Sequence, residues 1–397
     1  MDTNSKGGHI DEIVAFRRLL HSEPELSFEE AQTSARVEER LVSAGLAVER
    51  QRTGHGLCAV VEGAHPGPTL GFRADMDALP ILETNEVPHA SKNRGVMHAC
   101  GHDVHTSIGV GLAEQLVRER ENLHGRVKFI FQPEEEAAAP AGKAIGAEAM
   151  ALEGAVDDVD AILALHVLPR LQVGRFGVSE RAVWAASDVF DITIKGSSAH
   201  GATPHQGRDA IRAACALADA LYGLPGRETD ANTACVLSIG QLHAGTAHNI
   251  IADRATISGI LRTIDDPTRD LMLNAINRIT KGVSAAYGAE AEIDIRLGAK
   301  AVHNDPSLRE QVLSSLRSNG AEVDTVPSQM GAEDFSAFSS RVPGCYLYLG
   351  VGNIERGIVH DIHTPRFDVD EQCIGYAMSH IGKTLVDLGK HLKGATR

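Results

Sequence analysis

Residues 107–136 read SIGVGLAEQLVRERENLHGRVKFIFQPEEE, and this stretch decides the fold. Its first half places apolar residues at helical spacing, and its second half is a short apolar run of the kind found in buried strands. The same alternation of strand and helix patterns is found on both sides of it and resumes after residue 300. The sequence therefore predicts an α/β domain with a mostly parallel central sheet.

Residues 185–298 have a different pattern. They read as strand, helix, strand, strand, helix and strand, an order typical of a ferredoxin-like α+β domain. We predict that they form an inserted domain. Residues 1–184 and 299–397 would then form one discontinuous α/β domain around the insertion.

Composition excludes several functional classes. The formal net charge is −15 and only 4% of the residues are aromatic. An acidic chain repels phosphate backbones and anionic lipids, so we expect neither nucleic acid nor a membrane as a partner. We also see no signal peptide and no apolar run that could span a membrane. The six cysteines form no C-x-x-C pair, which excludes zinc ribbons and thioredoxin-like sites. Scattered single cysteines without a signal peptide favour reduced thiols in the cytoplasm.

Potential metal ligands are concentrated in VMHACGHDVHTSIGVG, residues 96–111. Cys100 and His102 flank Gly101, which has no Cβ to keep their side chains apart. Thiolate and imidazole suit zinc and can also bind manganese or nickel. Asp103 could be a further ligand or could orient a histidine. The segment can also be interpreted as a His-rich helix N-terminus with solvated imidazoles.

Three other segments end in metal-binding side chains. They contribute, in chain order, Glu134, Glu135, Glu136, His166, His360 and His363. The carboxylates and His166 follow apolar strands, and open α/β sheets place their sites at the carboxyl ends of strands. Taken singly, the carboxylates could be a solvated loop and the histidines structural. Together with residues 96–111, the segments favour a metal centre.

The predicted insertion has its own candidate residues. His200 and His205 lie in a loop rich in Gly, Ser and Pro, and either could donate a proton or stabilise an oxyanion. Asn249 and Arg262 carry an amide and a guanidinium, which suit a substrate carboxylate. All four could equally be surface residues.

The motifs resemble those of a known family. They are RRLLHSEPELSFEE, GFRADMDALPILE, MHACGHDVHTS, FQPEEE, LALHVLP, AASDVFDITIKG, SAHGATPH, GTAHNIIAD, AEDF and IHTPRFDVDE, and they cover nearly the whole chain. In this order they resemble the aminoacylase and carboxypeptidase-G-like family of binuclear metallopeptidases and amidohydrolases. The likeness is strongest to the branch of N-acyl-amino-acid amidohydrolases, hippurate hydrolases and auxin-conjugate hydrolases.

The resemblance implies a role for each matching position. The ligands of two divalent ions would be Cys100, His102, Glu136, His166 and His363. Glu135 would be the general base, and Asp75 would hold a ligand histidine. His200, on the inserted lid and dimerisation domain, would reach the substrate carbonyl, while Asn249 and Arg262 would bind substrate. At Glu134 the chain departs from the family, which usually has a small residue there.

The implied activity is hydrolysis of the amide bond of N-acyl amino acids, giving a carboxylic acid and a free amino acid. The implied cofactors are Mn²⁺ or Zn²⁺, with Ni²⁺ or Co²⁺ as substitutes, and the implied assembly is a homodimer or tetramer. A dipeptidase or carboxypeptidase of the same family is the nearest alternative. More distant ones are a thiol hydrolase that uses Cys100 and a metal-dependent binding protein without catalysis.

Overall fold

The computed structural model describes residues 3–52, 54–137 and 143–392. The chain forms two compact units. Unit 1 comprises Met1–Glu180, His303–Pro327 and Asp334–Arg397, and unit 2 comprises Arg181–Val302 and Ser328–Glu333. The predicted boundaries lie within four residues of these, at 184/185 and 298/299, but the prediction leaves 328–333 outside the insertion.

Helices and strands alternate along most of the chain. The helices are α1 (Thr3–Ser22), α2 (Ala31–Ser43), α3 (His102–Arg118), α4 (Gly146–Leu152), α5 (Ala210–Tyr222), α6 (Asp266–Ala286), α7 (Pro306–Ser318), α8 (Ser336–Ser339) and α9 (Gln372–His391). The strands are β1 (Val48–Arg50), β2 (Leu57–Glu62), β3 (His65–Asp75), β4 (His124–Gln132), β5 (Ala161–Gln172), β6 (Arg175–Val178), β7 (Ala182–Trp184), β8 (Ala186–Lys195), β9 (Cys235–Ala244), β10 (Arg254–Thr263), β11 (Glu290–Leu297), β12 (Val302–His303), β13 (Glu322–Thr325) and β14 (Gly344–Gly352).

The core of unit 1 is a mixed sheet in the order β1-β2-β4-β3-β5-β14-β6-β13. Its four central strands, β4, β3, β5 and β14, are parallel to one another. Their residues are almost entirely buried, as expected when helices cover both faces of a parallel sheet. In register, Asp75 lies opposite Gln132 and Arg73 lies opposite Ala164, so the ends of β3 and β4 lie level with the middle of β5.

Helix α3 begins earlier than predicted. The apolar pattern predicts a start at Ser107, but the helix begins at His102, directly after Gly101. Its polar first turn is buried, as is nearly every later residue, because α3 packs against α1, α9 and β3. The polar residues that obscured the helical pattern therefore belong to the helix and face the protein interior.

Unit 2 contains an antiparallel sheet in the order β11-β8-β10-β9. With α5 and α6, this is the 4-1-3-2 arrangement of a ferredoxin-like domain. Strand β8 buries every second residue, and its buried face forms a core with Leu217 of α5 and Met272 of α6. The predicted fold class, a mostly parallel α/β unit with an inserted ferredoxin-like α+β unit, is confirmed.

Among the described residues, no helix is both long enough and apolar enough to cross a membrane.

Candidate metal centre

Gly101 sets the geometry of the Cys100–His102 pair. Its φ of 82° lies in the left-handed region, which glycine adopts without steric cost. A Cβ at this position would lie only 2.5 Å from Cγ2 of Val167, the residue that follows His166. Glycine therefore allows the first turn of α3 to approach β5 closely, with Cys100 and His102 both buried.

Hydrogen bonds fix the proton positions on two histidines. His102 donates from Nδ1 to Oδ1 of Asp77 over 3.1 Å, and His166 donates from Nδ1 to the carbonyl of Val167 over 2.7 Å. In each neutral ring the lone pair then lies on Nε2. Nε2 of His166 is 3.3 Å from Sγ of Cys100, so this lone pair faces the cluster.

His363 brings the C-terminal loop to the same cysteine. Its Nε2 lies 3.3 Å from Cys100 Sγ and 3.3 Å from Oε1 of Glu136. Its φ of 59° is left-handed, an uncommon and strained conformation for a histidine. The backbone amide of His363 donates to the carbonyl of Ala99 over 2.8 Å, which ties this conformation to the Cys100 loop.

The predicted ligands form two groups that share Cys100. One group is Cys100, His102 and His166, and the other is Cys100, Glu136 and His363. Within each group the donor atoms lie within 4.8 Å of one another. A cysteine between two groups of ligands is suited to a thiolate that bridges two ions.

Two buried atoms test whether a cation fits here. Nε2 of His102 has no hydrogen-bond partner among the described residues, and Oε1 of Glu136, although 3.3 Å from Nε2 of His363, makes no hydrogen bond of suitable geometry with them. The two buried atoms lie 3.9 Å apart. Buried polar atoms normally have a partner, and a lone pair on imidazole beside a carboxylate oxygen suits a divalent cation. The donor set therefore fits a metal.

The electrostatics of the centre favour positive charge. Burial would lower the pKa of His102, but the carboxylates of Asp75 and Asp77 raise it to about 10. Burial and the charges of Glu136 and Glu135 raise the pKa of the Cys100 thiol well above its usual value. A bound cation would compensate the carboxylates and favour the thiolate. The raised pKa counts against Cys100 as an activated nucleophile, which needs a lowered one.

The carboxylate that accepts a hydrogen bond from Nδ1 of the ligand candidate His102 is Asp77. The resemblance assigned Asp75 to a ligand histidine. Asp75 accepts a hydrogen bond from Nδ1 of His105 over 2.6 Å, and its other oxygen lies 3.7 Å from Nε2 of His102. Nε2 of His105 in turn accepts from the backbone N–H of Val167 over 2.9 Å. His105 thus links the end of β3 to the residue after His166. The sequence analysis gave no role to Asp77 or His105, because spacing alone cannot show which carboxylate faces which ring.

Arg73, on β3, connects its own strand to β4 and to Asp334. Its buried guanidinium donates to Asp75 over 2.6 Å, to Oε1 of Gln132 over 2.7 Å and to Asp334 over 3.1 Å. Burial opposes ionisation of Asp75, but the positive charge of Arg73 keeps its pKa well below the usual value. Asp75 is therefore an anion in the interior, held by an arginine on its own strand.

The three consecutive glutamates have different surroundings. Oxygens of Glu135 and Glu136 each lie 3.9 Å from Nε2 of His102. The carboxylate of Glu134 instead accepts from the backbone N–H of Gly146 over 3.2 Å. The chain therefore places Glu135 and Glu136 near His102 and Glu134 near Gly146.

The candidate residues of the predicted insertion are in unit 2. His200 is exposed, and its Nδ1 accepts from the backbone N–H of Ala202 over 3.0 Å, so Nε2 carries the proton of the neutral ring. The backbone carbonyl of Asn249 accepts a hydrogen bond from the N–H of Gly201, the residue that follows His200. Asn249 therefore lies close to the His200 loop. Arg262, on β10, is half-buried, and its Nη1 has no hydrogen-bond partner among the described residues.

A family model described as Peptidase family M20/M25/M40 matches residues 71–381. The chain belongs to this family. The M20 chain is 37% identical over 369 residues to "Thermostable carboxypeptidase 2" of Saccharolobus solfataricus, covering 92% of each chain. It is 34% identical to "N-acetyl-L-cysteine deacetylase" of Bacillus subtilis, covering 96% of this chain and 90% of the relative.

A solved structure shares the whole fold of the M20 chain. It is the Bacillus subtilis YXEP protein, described as a dinuclear metal binding peptidase from the M20 family. The two superpose with a TM-score of 0.86 at 32% identity, covering 97% of this chain and 99% of that one. The family that the sequence motifs resembled is confirmed, and with it the class of metal-dependent amidohydrolases.

Proposed function

We propose that this M20 chain hydrolyses the amide bond of N-acyl amino acids and releases a carboxylic acid and a free amino acid. The observation that carries the proposal is the cluster of metal-binding donors around the buried Cys100, with Glu135 near His102. The relative named for deacetylation of N-acetyl-L-cysteine supports an N-acyl amino acid as substrate.

Two divalent ions would be bound. One ligand would be common to both ions, and each ion would have two further ligands of its own. Cys100 would contribute to both, with His102 and His166 on one side and Glu136 and His363 on the other. Mn²⁺ or Zn²⁺ are the ions we propose, and Ni²⁺ or Co²⁺ would substitute. When bound, such ions polarise the amide carbonyl and acidify water. The dinuclear description of the YXEP protein supports this stoichiometry.

The chain's own residues would move the proton. Glu135 would accept it from the attacking water and deliver it to the leaving nitrogen as the C–N bond breaks. His200 carries its proton on Nε2 and would donate a hydrogen bond to the oxyanion that forms on the carbonyl. Asn249 and Arg262 would bind the substrate carboxylate, for which an amide and a guanidinium are suited.

Architecture and setting complete the proposal. Unit 1 would be the catalytic domain, and unit 2 would act as lid and dimerisation domain of a homodimer. We place the protein in the cytoplasm, where its thiols stay reduced.

A carboxypeptidase acting on peptides is the second candidate, because one relative is named as such. Both activities cleave an amide next to an amino acid, so the same residues would serve. They differ in the group on the acyl side, which is a simple acid in one case and a peptide in the other.

A substrate screen separates the two candidates. Purified protein loaded with Mn²⁺, Zn²⁺ or Co²⁺ is incubated with N-acetyl and N-benzoyl amino acids, and in parallel with dipeptides and longer peptides. We expect release of free amino acid from the N-acyl compounds, loss of activity with a chelator and recovery on adding metal. Hydrolysis of peptides alone would replace the proposal with the carboxypeptidase. Full activity after metal removal would contradict both.

A further inference from the structure

The turn formed by residues 134–136, which includes the proposed base Glu135, has a strained backbone. Glu134 has φ of 62°, in the left-handed region that residues with a side chain rarely adopt. It directly precedes Glu135, so its conformation sets the direction in which the chain presents Glu135 and Glu136. Something other than the intrinsic preference of glutamate must therefore hold this conformation.

Glu30 supplies a fixed contact to this turn. Its Oε1 accepts a hydrogen bond from the backbone N–H of Glu134 over 2.8 Å, although the two residues are 104 positions apart. Glu30 is completely buried at the start of α2. A hydrogen bond from a buried amide to a buried carboxyl oxygen has no water to replace it.

The far end of the turn is fixed from the same segment. The N–H of Glu136 donates to Oδ2 of Asp77 over 2.9 Å, and Ser27 donates to that same oxygen over 2.7 Å. Ser27 and Glu30 therefore reach the two ends of the turn, one through Asp77 and the other directly, with Glu135 between the two fixed amides. Phe28, within this segment, is also left-handed, with φ of 72°.

We propose that Glu30 is a positioning residue, which holds the 134–136 turn in its strained form so that Glu135 and Glu136 face the ligand cluster. The described side-chain hydrogen bond of Glu30 goes to the backbone amide of Glu134 and not to a predicted ligand. The proposal rests on the proposed function for the role of Glu135, but the orientation of Glu136 can be tested without any substrate.

Two substitutions of Glu30 separate the hydrogen bond from the volume of the side chain. Glu30→Met keeps the length but removes the acceptor, and Glu30→Gln keeps an acceptor oxygen. Burial, with the negative charge of Asp77, raises the pKa of Glu30 to about 8, so the uncharged amide of glutamine is a close substitute near neutral pH. Glu29→Met is the matched control, because Glu29 is exposed and adjacent.

The first measurement is titration of metal-free protein with Co²⁺, followed by visible absorption. We expect Glu30→Met to raise the Co²⁺ dissociation constant about 10-fold, the lower end of the effect of an outer-shell contact. At saturating Co²⁺ its kcat should fall about 10- to 100-fold, because a small displacement of the base is costly, while KM changes little. Glu30→Gln and Glu29→Met should behave like the wild type.

Wild-type Co²⁺ binding or wild-type kcat in Glu30→Met would overturn the proposal, as would a Glu30→Gln protein as impaired as Glu30→Met. If the wild type hydrolyses no N-acyl amino acid, the proposed function fails while the Co²⁺ titrations still decide the role of Glu30.

A second pair of variants applies if Glu30→Met does not fold. Glu134→Val puts a β-branched residue where φ is positive, which strongly disfavours the turn, whereas asparagine accepts this conformation more readily. Glu134→Val should weaken Co²⁺ binding about 10-fold and Glu134→Asn should not. Equal Co²⁺ binding by the two proteins would show that the left-handed turn is not required.

Discussion

The candidate residues of the two units differ in how they are held. In unit 1, Cys100, His102 and His166 are buried, and hydrogen bonds to the chain fix both imidazoles. In unit 2, His200 is exposed, and its described side-chain contact is to the backbone two residues away. A metal site needs ligands fixed before the ion arrives, whereas a residue that contacts substrate must remain accessible.

From this difference we expect unit 1 to bind the metal and His200 of unit 2 to act on the substrate. The candidate site of unit 1 contains buried charged residues, and its backbone has left-handed conformations at Glu134 and His363. Strain of this kind persists only where the surrounding structure enforces it, and it clusters at functional sites. Unit 2 shows neither feature at His200. Substitutions in unit 1 should therefore change metal binding as well as rate, and those at His200 should change rate alone.

The largest effect is expected for Glu135→Gln, which keeps the size of the side chain but removes the base. Turnover should fall by about 10²–10⁴-fold, the usual contribution of a general base. Metal content, measured by elemental analysis, should stay unchanged, because Glu135 is not among the proposed ligands. Glu134→Gln is the control. A greater loss in that protein than in Glu135→Gln would move the base by one position.

His200→Ala should lower turnover by roughly 10²-fold, because it removes one hydrogen-bond donor to the oxyanion. Metal content should again be that of the wild type. His205→Ala is a matched control, since His205 lies exposed in the same loop. Near-normal turnover of His200→Ala would reject its role.

The proposed dimer gives the same residue a second test. If His200 serves the site of its partner, mixing His200→Ala chains with Glu135→Gln chains restores part of the activity, because one site in each mixed dimer has both groups. Mixed dimers verified by two different tags and still inactive would reject delivery from the partner.

Asp77→Asn should weaken metal binding about 10- to 100-fold, the range for a residue that orients a ligand. Asparagine can present its amide N–H₂ to Nδ1 of His102, and that favours the tautomer with the proton on Nε2, the nitrogen proposed to bind metal. Titration of metal-free protein with Zn²⁺ measures the change. A larger loss in Asp75→Asn than in Asp77→Asn would return the orienting role to Asp75.

The smallest effect is expected from alkylation of the native, metal-loaded protein. Cys215 is exposed, while Cys100 is buried and, in the proposed site, bound to metal. A reactive thiol must be accessible and ionised, so Cys215 should react first and the activity should persist. Mass spectrometry of digested protein locates the label. Inactivation that parallels labelling of Cys100, with metal still bound, would revive the thiol hydrolase.

Sequence patterns were sufficient to predict the helix and the strand that flank the candidate site. Residues 107–136 predicted a helix and a strand, and both are present, because helical and strand periodicities are local properties of the chain. The sequence analysis placed His166 at the end of an apolar strand, but in the structure that strand, β5, continues past His166 to Gln172. Its pairing with β14 extends it, and a pattern within β5 cannot reveal that partner.

By itself, the sequence determined which side chains are available at the site: a cysteine and a histidine around Gly101, glutamates after β4, and His166 and His363 further along. The motifs also determined the family. These are properties of residue type and order, and they need no coordinates.

Only the tertiary structure decided which partner each of these side chains has. Asp77 rather than Asp75 accepts the hydrogen bond from Nδ1 of His102, and Glu30 accepts one from the amide of Glu134, 104 residues away. Both contacts depend on how strands and helices that are distant in sequence pack against one another. A hydrogen bond depends on distance and angle, and neither is encoded in the spacing of residues along the chain.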